Sequence, residues 1–165
     1  MKKDFYVFLD IDGVLWDWEF FKSLNKKVGI INIFNPKSVE ALNYLLLKLE
    51  QNYNPIIVIT SSWRNDMNET EEALVNNGVK FSNELKRTRL TQTPFYRGKE
   101  IKRFLEENGN CKNYVIIDDE ISQIVNLFPK CRIIETSLLC DSLSIEKVNS
   151  FLSKINIKKD NNHEF

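Results

Sequence analysis

The chain predicts an α/β fold, a three-layer, Rossmann-like parallel sheet with helices on both faces. Three observations carry that prediction. Short apolar runs recur at Phe5 to Leu9, Ile56 to Ile59, Val115 to Ile117 and Ile133 to Ile134, with a shorter one at Val79 to Phe81. Segments of helical periodicity separate them. The first run shows no alternation of apolar and polar residues, as befits a strand buried on both faces. Strands that alternate with helices need crossover connections, and these make a parallel sheet.

The elements follow in order. Phe5 to Leu9 forms the first strand and runs directly into Asp10-Ile11-Asp12-Gly13. Residues 16–35, WDWEFFKSLNKKVGIINIFN, are irregular and aromatic, and read as a flap or hairpin over the end of that strand. PKSVEALNYLLLKLEQ opens on Pro36, well suited to a first helical turn, and sets Val39, Leu42, Leu46 and Leu49 on one face. The strand at Ile56 to Ile59 ends in Thr60-Ser61-Ser62-Trp63-Arg64. NDMNETEEALVNNG carries acids in its first turns and stops at Asn77-Gly78, a left-handed C-cap. GKEIKRFLEENGN groups Ile101, Phe104 and Leu105 on a further helix. Val115 to Ile117 ends in Asp118-Asp119-Glu120, ahead of a helical ISQIVNLF. After Ile133 and Ile134, Ser144 caps SIEKVNSFLSKI, with Ile145, Val148, Leu152 and Ile155 facing inward. Neither a linker nor an internal repeat divides the chain. A single domain over residues 1–157 is expected, with 158–165 as a disordered polar tail.

Composition narrows the function classes. The 23 basic and 23 acidic side chains cancel, so nothing marks duplex nucleic acid as an obligatory partner. The only histidine, His163, lies in the polar tail. Catalytic triads, His-ligated zinc and a His general base are thereby excluded, and acid/base work falls to carboxylates or lysine. Cys111, Cys131 and Cys140 have neither metal-ligand nor disulfide spacing and read as reduced packing residues. No apolar stretch reaches the ~20 residues of a membrane span. A cytoplasmic protein with no membrane association and no obligatory protein partner is expected.

The polar residues at the strand ends carry the chemistry. In a parallel sheet ligands lie beyond the carboxyl ends of the strands. Asp10, Asp12, Asp118 and Asp119 would gather there with the hydroxyls of Thr60 or Ser61 and the ammonium of Lys99. Clustered carboxylates repel one another and call for a hard divalent cation with oxygen ligands, for which Mg²⁺ is suited. A phosphate would complete the set, oriented by Thr60, Ser61 and Lys99, with Arg97 or Arg64 as alternative cations. Asp10 is placed to attack phosphorus, and Asp12 to protonate the leaving oxygen and then activate water. Taken singly, each motif has a plainer reading. Asp10 and Asp12 also suit a strand-end turn, Asp118-Asp119-Glu120 an acidic helix cap, and Thr60-Ser61 a cap or turn. Their ordered combination favours the phosphate and metal site.

LDIDGVL, the strand end at Thr60, the Lys99 helix and VIIDDE resemble the four ordered motifs of the haloacid dehalogenase-like (HAD) superfamily, from Phe5 to about Leu152. The resemblance implies a phosphatase with Asp10 as nucleophile and Asp12 as acid/base. It also implies Thr60 and Lys99 on the phosphate, and Mg²⁺ held by Asp10, the main-chain carbonyl of Asp12, Asp118 and Asp119. DIDGVL, TSSWR, RGKEI and YVIIDD are similar to small HAD domains associated with nucleic-acid repair proteins, although ETSLLCDSLS departs from the Gly-Leu-Thr ending of that group. The intervals between motifs leave no room for a large cap domain. An open site admits bulky substrates, such as a nucleic-acid end or a protein side chain, more readily than it sequesters a small metabolite, and a polynucleotide end or a nucleotide is the favoured substrate.

Two other classes compete with the phosphatase. A phosphoacceptor receiver domain uses the same residue types, but its acidic pair follows the first strand and its lysine comes last. A phosphate-binding module of weak turnover is the second. Trp16, Trp18 and Trp63 lie just past strand ends, where they would either stack a nucleobase or pack under a loop. KRTRL, residues 86–90, is a modest basic run that reads as solvated surface or as a contact for a polyanion.

Overall fold

The computed structural model describes residues 2–24, 34–89 and 96–155. Its elements are β1 (Lys3–Leu9), α1 (Trp18–Ser23), α2 (Pro36–Glu50), β2 (Tyr53–Ile59), α3 (Met67–Asn76), β3 (Lys86–Arg87), α4 (Arg97–Glu107), β4 (Tyr114–Asp118), β5 (Ile133–Glu135) and α5 (Ile145–Lys154). The strands form one sheet in the order β3-β2-β1-β4-β5, and every pairing is parallel. The fold is the expected Rossmann-like α/β type, and no cap domain is evident among the described residues.

The pleat of β1 explains the three layers. Phe5, Val7 and Leu9 enter one core with Leu42, Leu45 and Leu49 of α2, Leu74 of α3, and Val148, Phe151 and Leu152 of α5. Tyr6 and Phe8 enter a second core with Ile101, Phe104 and Leu105 of α4, joined by Ile124 and Phe128. Each buried side chain of this size contributes about 1.5–3 kcal/mol by leaving water. The unalternating sequence is therefore the mark of a central strand with a helix layer on either side.

Helix boundaries follow the side chains that can satisfy free N–H groups. Asn35 Oδ1 accepts from Lys37 N ahead of Pro36, Asp66 caps α3 through Glu69 N, and Ser144 caps α5 through Lys147 N. Gly78 closes α3 with φ +87°.

Three expectations are corrected. Val79 to Phe81 is not a strand: Val79 N donates to Leu74 O and Lys80 N to Asn43 Oδ1, so the segment seals the end of α3. The edge strand is Lys86–Arg87, two charged residues that shield an open sheet edge. ISQIVNLF forms successive turns in place of a helix, with Ile124 and Val125 N–H groups both directed at Ile121 O. The cysteines are free thiols, and Cys111, half-buried, packs against the second core as expected, but Cys131 and Cys140 are exposed rather than packed. Within the proposed flap, residues 18–23 are helical. Positions 25–33, the polar tail and His163 lie outside the described residues. No helix among the described residues is long and apolar enough to cross a membrane.

Candidate active site

Strand register brings the site together. Leu9 pairs with Ile59 on one side and with Ile117 on the other, while Asp118 pairs with Glu135. One residue further along, Thr60, Asp10 and Asp118 stand side by side at the carboxyl edge of three adjacent strands. Backbone bonds continue there, from Thr60 N to Leu9 O at 3.0 Å and from Asp10 N to Ile117 O at 3.0 Å. The two acidic motifs, over a hundred residues apart in sequence, are thus neighbours by construction of the sheet.

Asp10, Asp118 and Asp119 each offer a carboxylate oxygen, and these atoms lie within 4.8 Å of one another. Asp10 and Asp118 are buried. Burial, then the neighbouring Asp118, pushes the Asp10 carboxyl up to about 8, against the opposing pull of Arg97. Burial likewise raises Asp118 and Asp119, again opposed by Arg97. Such shifts mark carboxyls withdrawn from water and, to a lesser degree, crowded by like charge, a cluster in need of positive charge.

Arg97, at the first position of α4, supplies part of that charge. Its Nη1 lies 2.8 and 2.7 Å from the two Asp118 oxygens and 3.3 Å from Asp10 Oδ2. Burial would lower the guanidinium's pKa, yet Asp118 and Asp10 hold it above its ordinary value. Lys99 stands elsewhere. It is exposed, with its ammonium 4.1 Å from the centre of the Tyr96 ring. Arg64 is also committed, donating to Thr88 Oγ1 at 2.6 Å and Glu100 Oε2 at 2.7 Å. Of the three cations considered from sequence, Arg97 is the one at the carboxylates.

The hydroxyls differ as well. Ser61 Oγ accepts from Trp63 N at 3.2 Å, capping a short 3-10 helix over Ser62–Asn65. Thr60 Oγ1 is buried and has no hydrogen-bond partner among the described residues, and the same is true of Asp10 Oδ1. Buried polar atoms without partners cost free energy, and two of them side by side mark a place built for a polar ligand.

Asp12 is outside the three-carboxylate group and is held by two indoles. Trp16 Nε1 donates to its Oδ1 at 2.8 Å and Trp63 Nε1 to the same atom at 3.2 Å. These two tryptophans were read from sequence only as stacking or packing residues. The four-residue spacing from Asp12 to Trp16 was a usable signal for one of them, whereas the reach from Trp63 depends on the fold. Gly13 completes the loop with φ +76°. A Cβ there would lie 2.6 Å from Asp119 Oδ2, so the glycine is what lets the two motifs close on each other.

The donor set suits Mg²⁺. Three carboxylates within reach of one point, one with an unpartnered buried oxygen, offer the hard oxygen ligands that cation selects. A family model for the HAD domain in Swiss Army Knife RNA repair proteins matches residues 6–140. The chain belongs to that family. The matched segment runs from within β1 through β5 and holds all the candidate site residues of this HAD domain, and family membership points to phosphatase-type hydrolysis. No curated protein and no solved structure matches the chain.

Proposed function

We propose that this HAD domain is a Mg²⁺-dependent phosphomonoesterase working through an aspartyl-phosphate at Asp10, on a nucleotide or polynucleotide end. The observation that supports it most is the meeting of Asp10, Asp118 and Asp119 at the carboxyl edge of β1 and β4. Asp10, Asp118 and Asp119, with the main-chain carbonyl of Asp12, would hold Mg²⁺, which supplies charge neutralisation for the carboxylates and for a bound phosphate.

An Asp10 carboxylate oxygen attacks phosphorus and the ester bond to the leaving oxygen breaks. Asp12 gives its proton to that oxygen, releasing the alcohol. Asp12, now a carboxylate, takes a proton from water as the water attacks the aspartyl-phosphate, and inorganic phosphate leaves with Asp10 restored. Trp16 and Trp63 fix Asp12 Oδ1, which directs the other oxygen to the proton transfer. Thr60 Oγ1, with Ser61 beside it, is the hydroxyl available to a phosphate oxygen. Arg97, 3.3 Å from Asp10 Oδ2, is the cation available to the phosphate among the three considered, and Lys99 would serve only after swinging away from Tyr96.

The test is a panel of phosphorylated compounds, including 3′- and 5′-phosphorylated oligonucleotides, assayed with Mg²⁺ against wild type and Asp10→Asn. Hydrolysis of at least one member is expected, with loss of about 10³-fold or more in the variant. Undiminished turnover in Asp10→Asn removes the nucleophile, and an inert panel favours a phosphate-binding module.

A further inference from the structure

Beside the carboxylates lies an aromatic corner that the proposed chemistry leaves unused. Trp18 is 41% exposed and Phe21 49% exposed, a large apolar area for solvent-facing residues. Their ring centres are 5.6 Å apart and their planes cross at 88°. Trp16 touches both, at 5.8 Å from Trp18 and 6.0 Å from Phe21, and the same Trp16 indole donates to Asp12. The corner is therefore one indole away from the proposed acid/base.

The corner is also fixed in place. Asp17 Oδ1 accepts from Phe20 N at 2.8 Å, and its Oδ2 accepts from Ser142 Oγ at 2.6 Å; Ser142 in turn accepts from Ser38 on α2. Trp18 N donates to Leu138 O at 2.9 Å. Asp17 and Ser142, both buried, anchor α1 to α2 and to the segment after β5. None of the residues of α1 is buried, so this anchoring holds an element with no core of its own and keeps its aromatic side chains in solvent.

We propose that Trp18 and Phe21 form a stacking platform for the unpaired terminal base of a polynucleotide whose end phosphate sits at Asp10. This rests on the phosphatase reading for the phosphate and adds to it the recognition of the base. A planar base stacks on one ring of a perpendicular pair while meeting the other, and such stacking is tolerant of sequence because every base has a π face. A duplex end would keep its terminal base paired, so single-stranded ends are favoured.

The test uses the full chain carrying Asp10→Asn, with Mg²⁺, and reads equilibrium binding by anisotropy of a dye at the far end of single-stranded 8-mers. Ends bearing a terminal phosphate are compared with the same ends made abasic at the last nucleotide. The base-bearing end is expected to bind about 5- to 100-fold more tightly. Trp18→Ala should bring that ratio close to one, and Phe21→Ala should reduce it. Trp18→Leu keeps apolar volume without a ring and gives the same readout should the alanine variant fail to fold, whereas Trp18→Tyr should retain most of the ratio. A ratio near one in the parent protein, or a ratio untouched by Trp18→Leu, overturns the platform. A phosphorylated duplex end that binds as tightly as the single-stranded 8-mer overturns the preference for an unpaired terminal base. Hydrolysis by wild type is read separately: hydrolysis without base discrimination removes the platform alone, and base discrimination without hydrolysis removes the phosphatase while the platform stands.

Discussion

At the scale of single residues, Gly13 is the most demanding position. Alanine there meets Asp119 at 2.6 Å and must also hold φ +76°. A cost of about 1–3 kcal/mol is expected from the backbone alone, together with displacement of a carboxylate from the cluster. Gly13→Ala should therefore melt at a lower temperature and bind Mg²⁺ more weakly than wild type, by calorimetric titration. Full Mg²⁺ affinity in a folded Gly13→Ala protein would dissociate Asp119 from the metal set. Asp10, Asp118 and Asp119 were legible because each follows an apolar run that only a buried strand explains. The choice between Arg97 and Lys99 was not. Both lie in the first turn of α4, and which of them faces the sheet is set by the rotation of that helix, fixed in part by the approach of Gly98, where a Cβ would lie 2.6 Å from Gln123 O. Arg97→Ala is thus expected to weaken phosphate-dependent turnover far more than Lys99→Ala, as kcat/KM of the two variants on one substrate would show.

At the scale of elements, the pair Arg64 and Glu100 ties the turn after β2 to α4. Both are buried, and Arg64 reaches Thr88 at the end of β3 as well. Removing one partner of a buried pair is strongly destabilising, by about 3–5 kcal/mol. Arg64→Met should accordingly lose stability in chemical denaturation by that order, and also lose activity, because α4 carries Arg97. A loss near zero would mean that water reaches the pair. The helices and central strands were readable from periodicity, while β3 was not, since two charged residues carry no strand signal and pair only because β2 presents a free edge. Residues 121–128 have helical spacing of apolar groups, yet the chain there satisfies its backbone in turns beneath α4. Both misreadings come from tertiary context overriding local pattern.

At the scale of the whole molecule, the carboxylate cluster couples folding to pH and to metal. Asp10 has its native pKa raised to about 8 from an ordinary carboxylate value of 3.8. Between those values the native state holds more protons than the unfolded chain, so this group's contribution to stability falls as pH rises through the window. Asp118 and Asp119 act in the same direction. Metal-free protein should lose stability between about pH 4 and 8 more steeply than Asp10→Asn. Mg²⁺ should raise the melting temperature more at pH 8 than at pH 5, because it competes with protons for the same oxygens. A wild-type slope no steeper than that of Asp10→Asn would mean that the Asp10 carboxyl is not raised.

The central claim is that Asp10 itself takes the phosphoryl group. Its most direct measurement is acid quenching during turnover of a phosphomonoester labelled at phosphorus, in the presence of Mg²⁺, followed by mass spectrometry of the peptides. The account predicts an acyl-phosphate on Asp10 alone, absent without Mg²⁺ and absent in Asp10→Asn. Sustained hydrolysis with the label on another residue would contradict it.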